Sequence, residues 1–157
     1  MTAADALEGK KLPAFDLPTD GGGRAKNADF AGNTLILYLY PKDDTSGCTR
    51  ESVDFANAYQ DFKAAGAEVV GLSKDSVKSH DKFKAKYELP FTLLADEDTT
   101  LIAALGSWVE KSMYGRRYMG TDRSTFLIDG DGVIRKVWRK VKVPGHVDEV
   151  LTAVQPR

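Results

Sequence analysis

Short continuous apolar runs, separated by charged residues, glycines and prolines, recur along the chain. Runs of this kind are typical of strands that are buried on both faces of a sheet. They predict strands at 34–41 (TLILYLYP), 67–73 (AEVVGLS) and 91–96 (FTLLAD). A short edge strand bounded by prolines is predicted at 12–18, and a hairpin with a glycine-bearing turn is predicted at 123–139.

Apolar residues at helical spacing follow each of these runs. They predict helices at 49–65, 76–89 and 146–154, and a short helix at 99–108 (TTLIAALGSW). The segment 19–33 contains three consecutive glycines and is predicted to be loop.

The order of these elements indicates the fold class. Strands that are joined through helices pair in parallel and a hairpin pairs antiparallel, so the pattern predicts an α/β fold with a mixed central sheet and helices on both faces. A thioredoxin-like fold has this order of elements. The chain has 157 residues and no repeat or interdomain linker, so a single domain spanning 1–157 is expected.

Charge gives no reason to expect nucleic acid or an anionic membrane as a partner. The 22 basic and 23 acidic residues leave a net charge of -1. The local basic clusters at 116–117 and 135–142 are interpreted as solvated faces. No apolar stretch reaches the length of about 20 residues that a membrane span needs.

Cysteine usage bears on the compartment. One cysteine cannot form an internal disulfide, and the first residues lack the apolar core of a secretory signal. A reducing compartment is therefore expected, with the cytoplasm as the default.

The one cysteine, Cys48, lies in the polar stretch YPKDDTSGCTRES at 40–52. It follows a predicted buried strand and begins a predicted helix. The unpaired N–H groups and the dipole at a helix N-terminus stabilise a thiolate, which favours a reactive thiol. Alternatively, Cys48 packs as a small buried hydrophobic residue, although its polar neighbours argue against a dry apolar pocket. The pattern alone leaves both interpretations open.

Pro41, Thr45 and Cys48 match the Pro-x-x-x-Thr-x-x-Cys signature of the peroxiredoxins. The longer string YPKDDTSGCTRES is similar to the peroxiredoxin Q group, which is also called bacterioferritin comigratory protein. A second block, WVEKSMYGRRYMGTDRSTFLIDGDG, resembles the same group and contains Arg123. The resemblance runs from about Leu12 to the final helix. It implies a thiol peroxidase that reduces hydrogen peroxide and organic hydroperoxides without a metal, flavin or haem.

The resemblance also implies a role for each matching residue. Cys48 is expected to attack one peroxide oxygen and become a sulfenic acid. The Thr45 hydroxyl is expected to hold the peroxide and the thiolate, and Pro41 to shield the sulfur from water. Arg123 is expected to stabilise the thiolate and the leaving oxygen. Glu51, three residues after Cys48, is interpreted as a capping-box acid rather than a base.

The sequence departs from the group where many members have a second cysteine. The two positions concerned carry Val53 and Lys84 here. The chain therefore resembles a one-cysteine variant, whose sulfenic acid an external thiol must reduce: thioredoxin, glutaredoxin with glutathione, or another small thiol. The group tends toward monomers, so a monomer is expected.

Two other functions are considered. A redox sensor or binding module would use oxidised Cys48 to change association with a partner without efficient turnover. A cysteine hydrolase would need His80 or His146 as a base near Cys48. His146 is more plausible as a residue at a helix start, and two histidines with one cysteine do not give the ligand spacing of a metal site.

Overall fold

The computed structural model describes residues 5–155. This part of the chain forms nine strands and four α-helices, with 3₁₀ turns at Asp20–Gly22 and Asn27–Phe30. The strands are β1 (Asp16–Pro18), β2 (Arg24–Lys26), β3 (Thr34–Leu39), β4 (Ala67–Ser73), β5 (Thr92–Ala95), β6 (Trp108–Met113), β7 (Arg116–Thr121), β8 (Ser124–Ile128) and β9 (Ile134–Trp138). The helices are α1 (Ser46–Ala64), α2 (Val77–Tyr87), α3 (Thr100–Ala104) and α4 (His146–Val154).

The central sheet has five strands in the order β5-β4-β3-β8-β9. The middle strand, β3, pairs in parallel with β4 and antiparallel with β8. On one side, β4 also pairs in parallel with β5. On the other side, β8 and β9 form an antiparallel hairpin. The predicted mixed sheet is confirmed.

Alternate residues of β3 point to two separate cores. One core contains Leu37 and the apolar residues of α3, and the other contains Tyr38 with apolar residues of α1, α2 and α4. Because side chains alternate across a strand, one continuous apolar run fills both cores. Helices on both faces of the sheet, as in a thioredoxin-like fold, are therefore confirmed.

The N-terminal segment differs from the prediction. The strand expected at 12–18 is extended and paired only at Asp16–Pro18, where it forms a separate two-stranded sheet with β2. Proline cannot donate to a strand ladder, and the glycine turn brings β2 back alongside β1. The predicted loop at 19–33 therefore contains one short strand and two 3₁₀ turns.

A second hairpin, β6 and β7, was not predicted. Its strands pair in register from Trp108 opposite Thr121 to Met113 opposite Arg116. Most of its side chains are exposed, so neither strand has the apolar run or the clean alternation that identifies a buried strand. The turn contains Tyr114 with φ 52°.

Helix bounds agree with the predictions to within four residues: α3 ends four residues early, and α1 begins three residues early. This helix begins at Ser46, with Thr45 as its N-cap, rather than at 49. Cys48 therefore lies within the first turn. Among the described residues, no helix is long and apolar enough to cross a membrane.

Candidate active site

The strand β3 and the helix α1 together position Cys48. The chain leaves β3 at Leu39, passes through a short loop and enters α1 after Thr45, whose extended backbone (φ -100°, ψ 155°) ends the loop. The Thr45 carbonyl accepts the first helical hydrogen bond, from the amide of Thr49, at 2.8 Å. Cys48 is the third residue of the helix, where the positive end of the helix dipole favours an anion.

The Cys48 side chain is only 1% exposed. It belongs to an apolar cluster that includes Tyr38, Tyr40 and Phe55. The expectation that polar neighbours exclude an apolar environment is therefore wrong. Helical periodicity explains the difference, because Cys48 and Phe55 face inward on α1 while the exposed Arg50 faces solvent.

Arg123 approaches the cysteine from the short connection between β7 and β8. Its Nη2 donates to Cys48 Sγ at 3.3 Å, and its Nη1 donates to Glu51 Oε1 at 2.8 Å. Burial disfavours the guanidinium charge, but the electrostatic attraction and hydrogen bonds of Glu51 and Cys48 outweigh this and raise the pKa of Arg123. A charged guanidinium thus contacts the sulfur directly, although the two residues are 75 positions apart in sequence.

Glu51 lies fully buried beside this guanidinium. Burial raises the pKa of the Glu51 carboxyl to about 7, although Arg123 acts in the opposite direction. The second carboxyl oxygen, Oε2, has no hydrogen-bond partner within the described residues. At neutral pH the carboxyl is therefore divided between its neutral and charged forms.

The interpretation of Glu51 as a capping-box acid is wrong. A capping box needs the acid at the third helical position, which Cys48 occupies because Thr45 is the N-cap. Glu51 is one turn further on, and its spacing of three residues from Cys48 places both side chains on one face of α1. That spacing was the available sequence signal for a contact with Arg123.

Thr45 and Pro41 lie in the loop that leads into α1. The Thr45 hydroxyl donates to the Lys42 carbonyl at 2.8 Å, which leaves its lone pairs free to accept a hydrogen bond. Within the described part of the chain, no hydrogen bond joins this hydroxyl to the Cys48 sulfur. Pro41 is half-buried immediately after Tyr40. The structure therefore joins Cys48 to Arg123 directly and holds Thr45 and Pro41 in the adjoining loop.

The two histidines have other partners. His80 is hydrogen-bonded to Asp43 and to the Leu94 carbonyl, and His146 to the Thr125 hydroxyl at 2.8 Å. Burial lowers the pKa of His146 to about 4, so this imidazole is neutral at pH 7. These contacts give no support to a cysteine hydrolase. Among residues 5–155, no group of His, Cys, Asp and Glu side chains could hold a metal ion.

The positions at which many peroxiredoxin Q members have a second cysteine have other contacts here. Val53 is half-buried in α1. Lys84, in α2, places its ammonium 2.7 Å from Asp20 Oδ2. Cys48 is the one thiol of the chain, so oxidised Cys48 has no cysteine partner within it.

Comparison with known proteins shows the family to which the chain belongs. The model of the AhpC/TSA family matches residues 9–137. A putative peroxiredoxin bcp of Coxiella burnetii is 52% identical over 91% of this chain and 95% of its own length. Peroxiredoxin Bcp of Bacillus subtilis is 45% identical over 94% of each chain.

A solved structure extends the similarity to three dimensions. The bacterioferritin comigratory protein of Xanthomonas campestris, described for its alkyl peroxide reduction activity, superposes with a TM-score of 0.86 at 45% identity over 89% of each chain. The chain therefore belongs to the AhpC/TSA family, among its Bcp and Q peroxiredoxins.

Proposed function

We propose that this peroxiredoxin reduces hydrogen peroxide and organic hydroperoxides with Cys48 as the nucleophile, and that an external thiol completes each cycle. The observation that carries the proposal is the 3.3 Å contact between Arg123 Nη2 and Cys48 Sγ at the N-terminus of a helix. A charged donor and the helix dipole both stabilise negative charge at the sulfur. The alkyl peroxide activity described for the Xanthomonas relative supports the same substrate class.

In the proposed reaction, the Cys48 thiolate attacks the terminal oxygen of a hydroperoxide. The O–O bond breaks, the sulfur gains an –OH group and becomes a sulfenic acid, and the peroxide leaves as an alkoxide or hydroxide that takes up a proton. The Arg123 guanidinium stabilises the negative charge as it moves from sulfur to the leaving oxygen. Thr45 accepts a hydrogen bond from the peroxide, and Pro41 shields the sulfur.

Glu51 determines how much of the Arg123 charge is available for this step. When the carboxyl is protonated, the guanidinium charge is directed to the sulfur and the substrate. When it is ionised, it competes for the same charge. Its pKa of about 7 places this change near neutral pH.

The second half of the cycle consumes two external thiols. The first thiol attacks the sulfenic acid, so that a mixed disulfide forms and water leaves. The second thiol attacks the external sulfur of that disulfide, which breaks its S–S bond, releases the Cys48 thiolate and forms a disulfide between the two external thiols. Because the sulfur is only 1% exposed, the first turn of α1 must open before a folded protein thiol can reach it. Thioredoxin, glutaredoxin with glutathione, and small thiols are the proposed reductants.

A monomer in the reducing cytoplasm is the proposed working form. Cys48, Thr45 and Arg123 all come from one chain, which supports a site that needs no second copy. Sedimentation of the reduced protein should give a single species with the mass of one chain. A stable dimer would contradict this part of the proposal.

The test is peroxide turnover with defined reductants. Reduced protein is given hydrogen peroxide or an organic hydroperoxide, with either the thioredoxin system or the glutaredoxin and glutathione system, and NADPH consumption is followed. Continuous turnover that Cys48→Ser abolishes is the expected result. Oxidation of Cys48 that neither system reverses would overturn the proposal and favour a redox sensor.

A further inference from the structure

The loop that precedes the cysteine helix contains two adjacent acids, Asp43 and Asp44, and both are held by α2. Asp43 is buried, with its side chain 3% exposed. Its Oδ2 lies 2.7 Å from His80 Nδ1 and 2.8 Å from the Ser79 hydroxyl, and its Oδ1 accepts from Tyr40 at 2.5 Å. This carboxylate has three neighbours that can donate a hydrogen bond.

The surroundings of His80 favour a protonated ring. The ring is fully buried, and its Nε2 lies 2.9 Å from the Leu94 carbonyl, which can only accept. Its Nδ1 faces the Asp43 side chain, and a ring that carries protons on both nitrogens donates to both of these oxygens. Burial disfavours this charged form, but Asp43 outweighs burial and the pKa of His80 is raised, with Asp75 contributing in the same direction.

The backbone of the loop is fixed at the same place. The Asp43 amide donates to Asp75 Oδ2 at 2.9 Å. Asp44 adopts φ 56°, in the left-handed region, and its carboxylate accepts from Lys86 at 2.8 Å and from Tyr87 at 2.7 Å. The loop is therefore held through side chains and main chain at two consecutive residues.

Thr45 lies two positions after the buried Asp43; it is the N-cap residue of α1 and, in the proposed function, receives the peroxide. The Thr45 hydroxyl also donates to the carbonyl of Lys42, the residue before Asp43, at 2.8 Å, so a shift of Asp43 moves the acceptor that orients this hydroxyl. We propose that His80 is a positioning residue for peroxide reduction: its bond to Asp43 fixes the 41–45 loop, and through it the Thr45 hydroxyl, relative to Cys48. The inference rests on the proposed function.

A buried ion pair that served stability alone would predict something different. Removing it would then lower the free energy of unfolding and leave the selectivity of the folded thiol for peroxide unchanged. A positioning role affects peroxide specifically, because peroxide must be held by the loop, whereas a small alkylating reagent needs access to the thiolate but no contact with the Thr45 hydroxyl. The ratio of the two rates separates the roles.

The experiment measures two rate constants of Cys48, one for oxidation by hydrogen peroxide and one for alkylation by iodoacetamide. They are compared in the wild type, His80→Gln and Asp43→Asn, with Lys78→Gln as a control on an exposed residue of the same helix. His80→Gln is expected to slow peroxide oxidation by about 10- to 100-fold and alkylation by less than about threefold. Asp43→Asn should lower the same ratio, and Lys78→Gln should leave it unchanged.

Equal slowing of both reactions, or no change in their ratio, would overturn the inference. If His80→Gln does not fold, the ratio of the two rates in Asp43→Asn tests the inference instead, because asparagine has nearly the same shape as aspartate. The wild-type rate reports on the proposed function separately: slow wild-type oxidation would contradict that function, whereas an unchanged ratio in the variants would contradict only the role of His80.

Discussion

At the scale of single residues, the site depends on one guanidinium that serves two buried acceptors. Arg123 contacts the Cys48 sulfur and the Glu51 carboxyl with different nitrogens of the same planar group. A planar fork can bind both at once, whereas a lysine ammonium is a single point of charge. Cys48 and Glu51 therefore share the charge of the same guanidinium.

Changing Arg123 should slow peroxide reduction more than it harms the fold. Arg123→Ala removes the donor to the sulfur and is expected to slow oxidation of Cys48 by about 100- to 1000-fold, the usual effect of losing one preorganised donor. Arg123→Lys keeps the positive charge but lacks the planar guanidinium, so its rate of Cys48 oxidation should lie between those of Arg123→Ala and the wild type. Rapid mixing with hydrogen peroxide provides the measurement; a rate in Arg123→Ala equal to that of the wild type would contradict the assigned role.

Glu51 should make stability fall as pH rises. Its pKa is raised from 4.5 to about 7 in the folded protein, so between these values the folded state binds more protons than the unfolded state. The contribution to the free energy of unfolding is present below pH 4.5 and is lost as pH rises through 7, by about 3 kcal/mol in total. Urea unfolding of wild type and Glu51→Gln at pH 5 and pH 8 measures it.

His80 also has a raised pKa, so the stability that it contributes to the fold decreases as pH rises above 6.5, its ordinary pKa. This decrease occurs in the wild type and in Glu51→Gln alike. The difference between wild type and Glu51→Gln therefore isolates Glu51. The variant should lose less stability than the wild type over this interval. An equal loss in the two proteins would contradict a raised pKa at Glu51.

At the scale of elements, the first turn of α1 is shaped to admit Arg123. A Cβ added at Gly47 would lie 3.2 Å from Arg123 Nη2, the same nitrogen that donates to the sulfur. This is closer than an ordinary contact, so the guanidinium would have to move by a few tenths of an ångström. The glycine next to the cysteine thus leaves room for the contact between Arg123 and the sulfur.

Gly47→Ala should change stability and activity in opposite directions. Alanine has a better helix propensity than glycine, so the free energy of unfolding should rise by up to about 1 kcal/mol. Oxidation of Cys48 should nevertheless slow several-fold, because Arg123 is displaced. Ser46→Ala, at an exposed position in the same turn, should leave the rate unchanged. A rate in Gly47→Ala that equals the wild type would contradict this account of the turn.

At the scale of the whole molecule, the register of β3 and β8 brings the site together. Leu39, at the end of β3, lies opposite Ser124, the first residue of β8. Arg123 precedes Ser124, so antiparallel pairing delivers it to the same end of the sheet from which the loop leads to α1. Tyr38 then joins the sheet to the helix, because its hydroxyl lies 2.9 Å from the Ser52 hydroxyl.

Gly71, in the neighbouring strand β4, is needed for this packing. A Cβ there would lie 2.7 Å from Leu93 Cδ2 and 3.0 Å from the Tyr38 ring, and neither can move freely in the core. Gly71→Ala is therefore expected to lower the free energy of unfolding by about 1–3 kcal/mol. The same chemical change at Gly47 should raise it, so chemical denaturation of the two variants is a matched comparison. Equal effects of the two changes would contradict it.

Much of this organisation was predictable because the central strands have strong patterns. Continuous apolar runs identified β3 and β4, and the peroxiredoxin signature identified Cys48. The hairpin of β6 and β7 was missed because most of its residues, such as Glu110 and Arg116, are exposed. Its sequence therefore lacks the alternation of apolar and polar residues that identifies a strand. The contact of Glu51 with Arg123 was missed because the position of Glu51 in α1 depends on the residue at which the helix begins, and helix ends are the least certain feature of a sequence pattern.

The central claim is that the fold accelerates the reaction of Cys48 with peroxide. The most direct test is the rate constant for oxidation of fully reduced protein by hydrogen peroxide, measured by rapid quenching and mass spectrometry beside free glutathione at the same pH. Cys48→Ser serves as the control and should gain no oxygen. A rate constant several orders of magnitude above that of glutathione is the predicted result. A rate constant equal to that of glutathione would contradict the account.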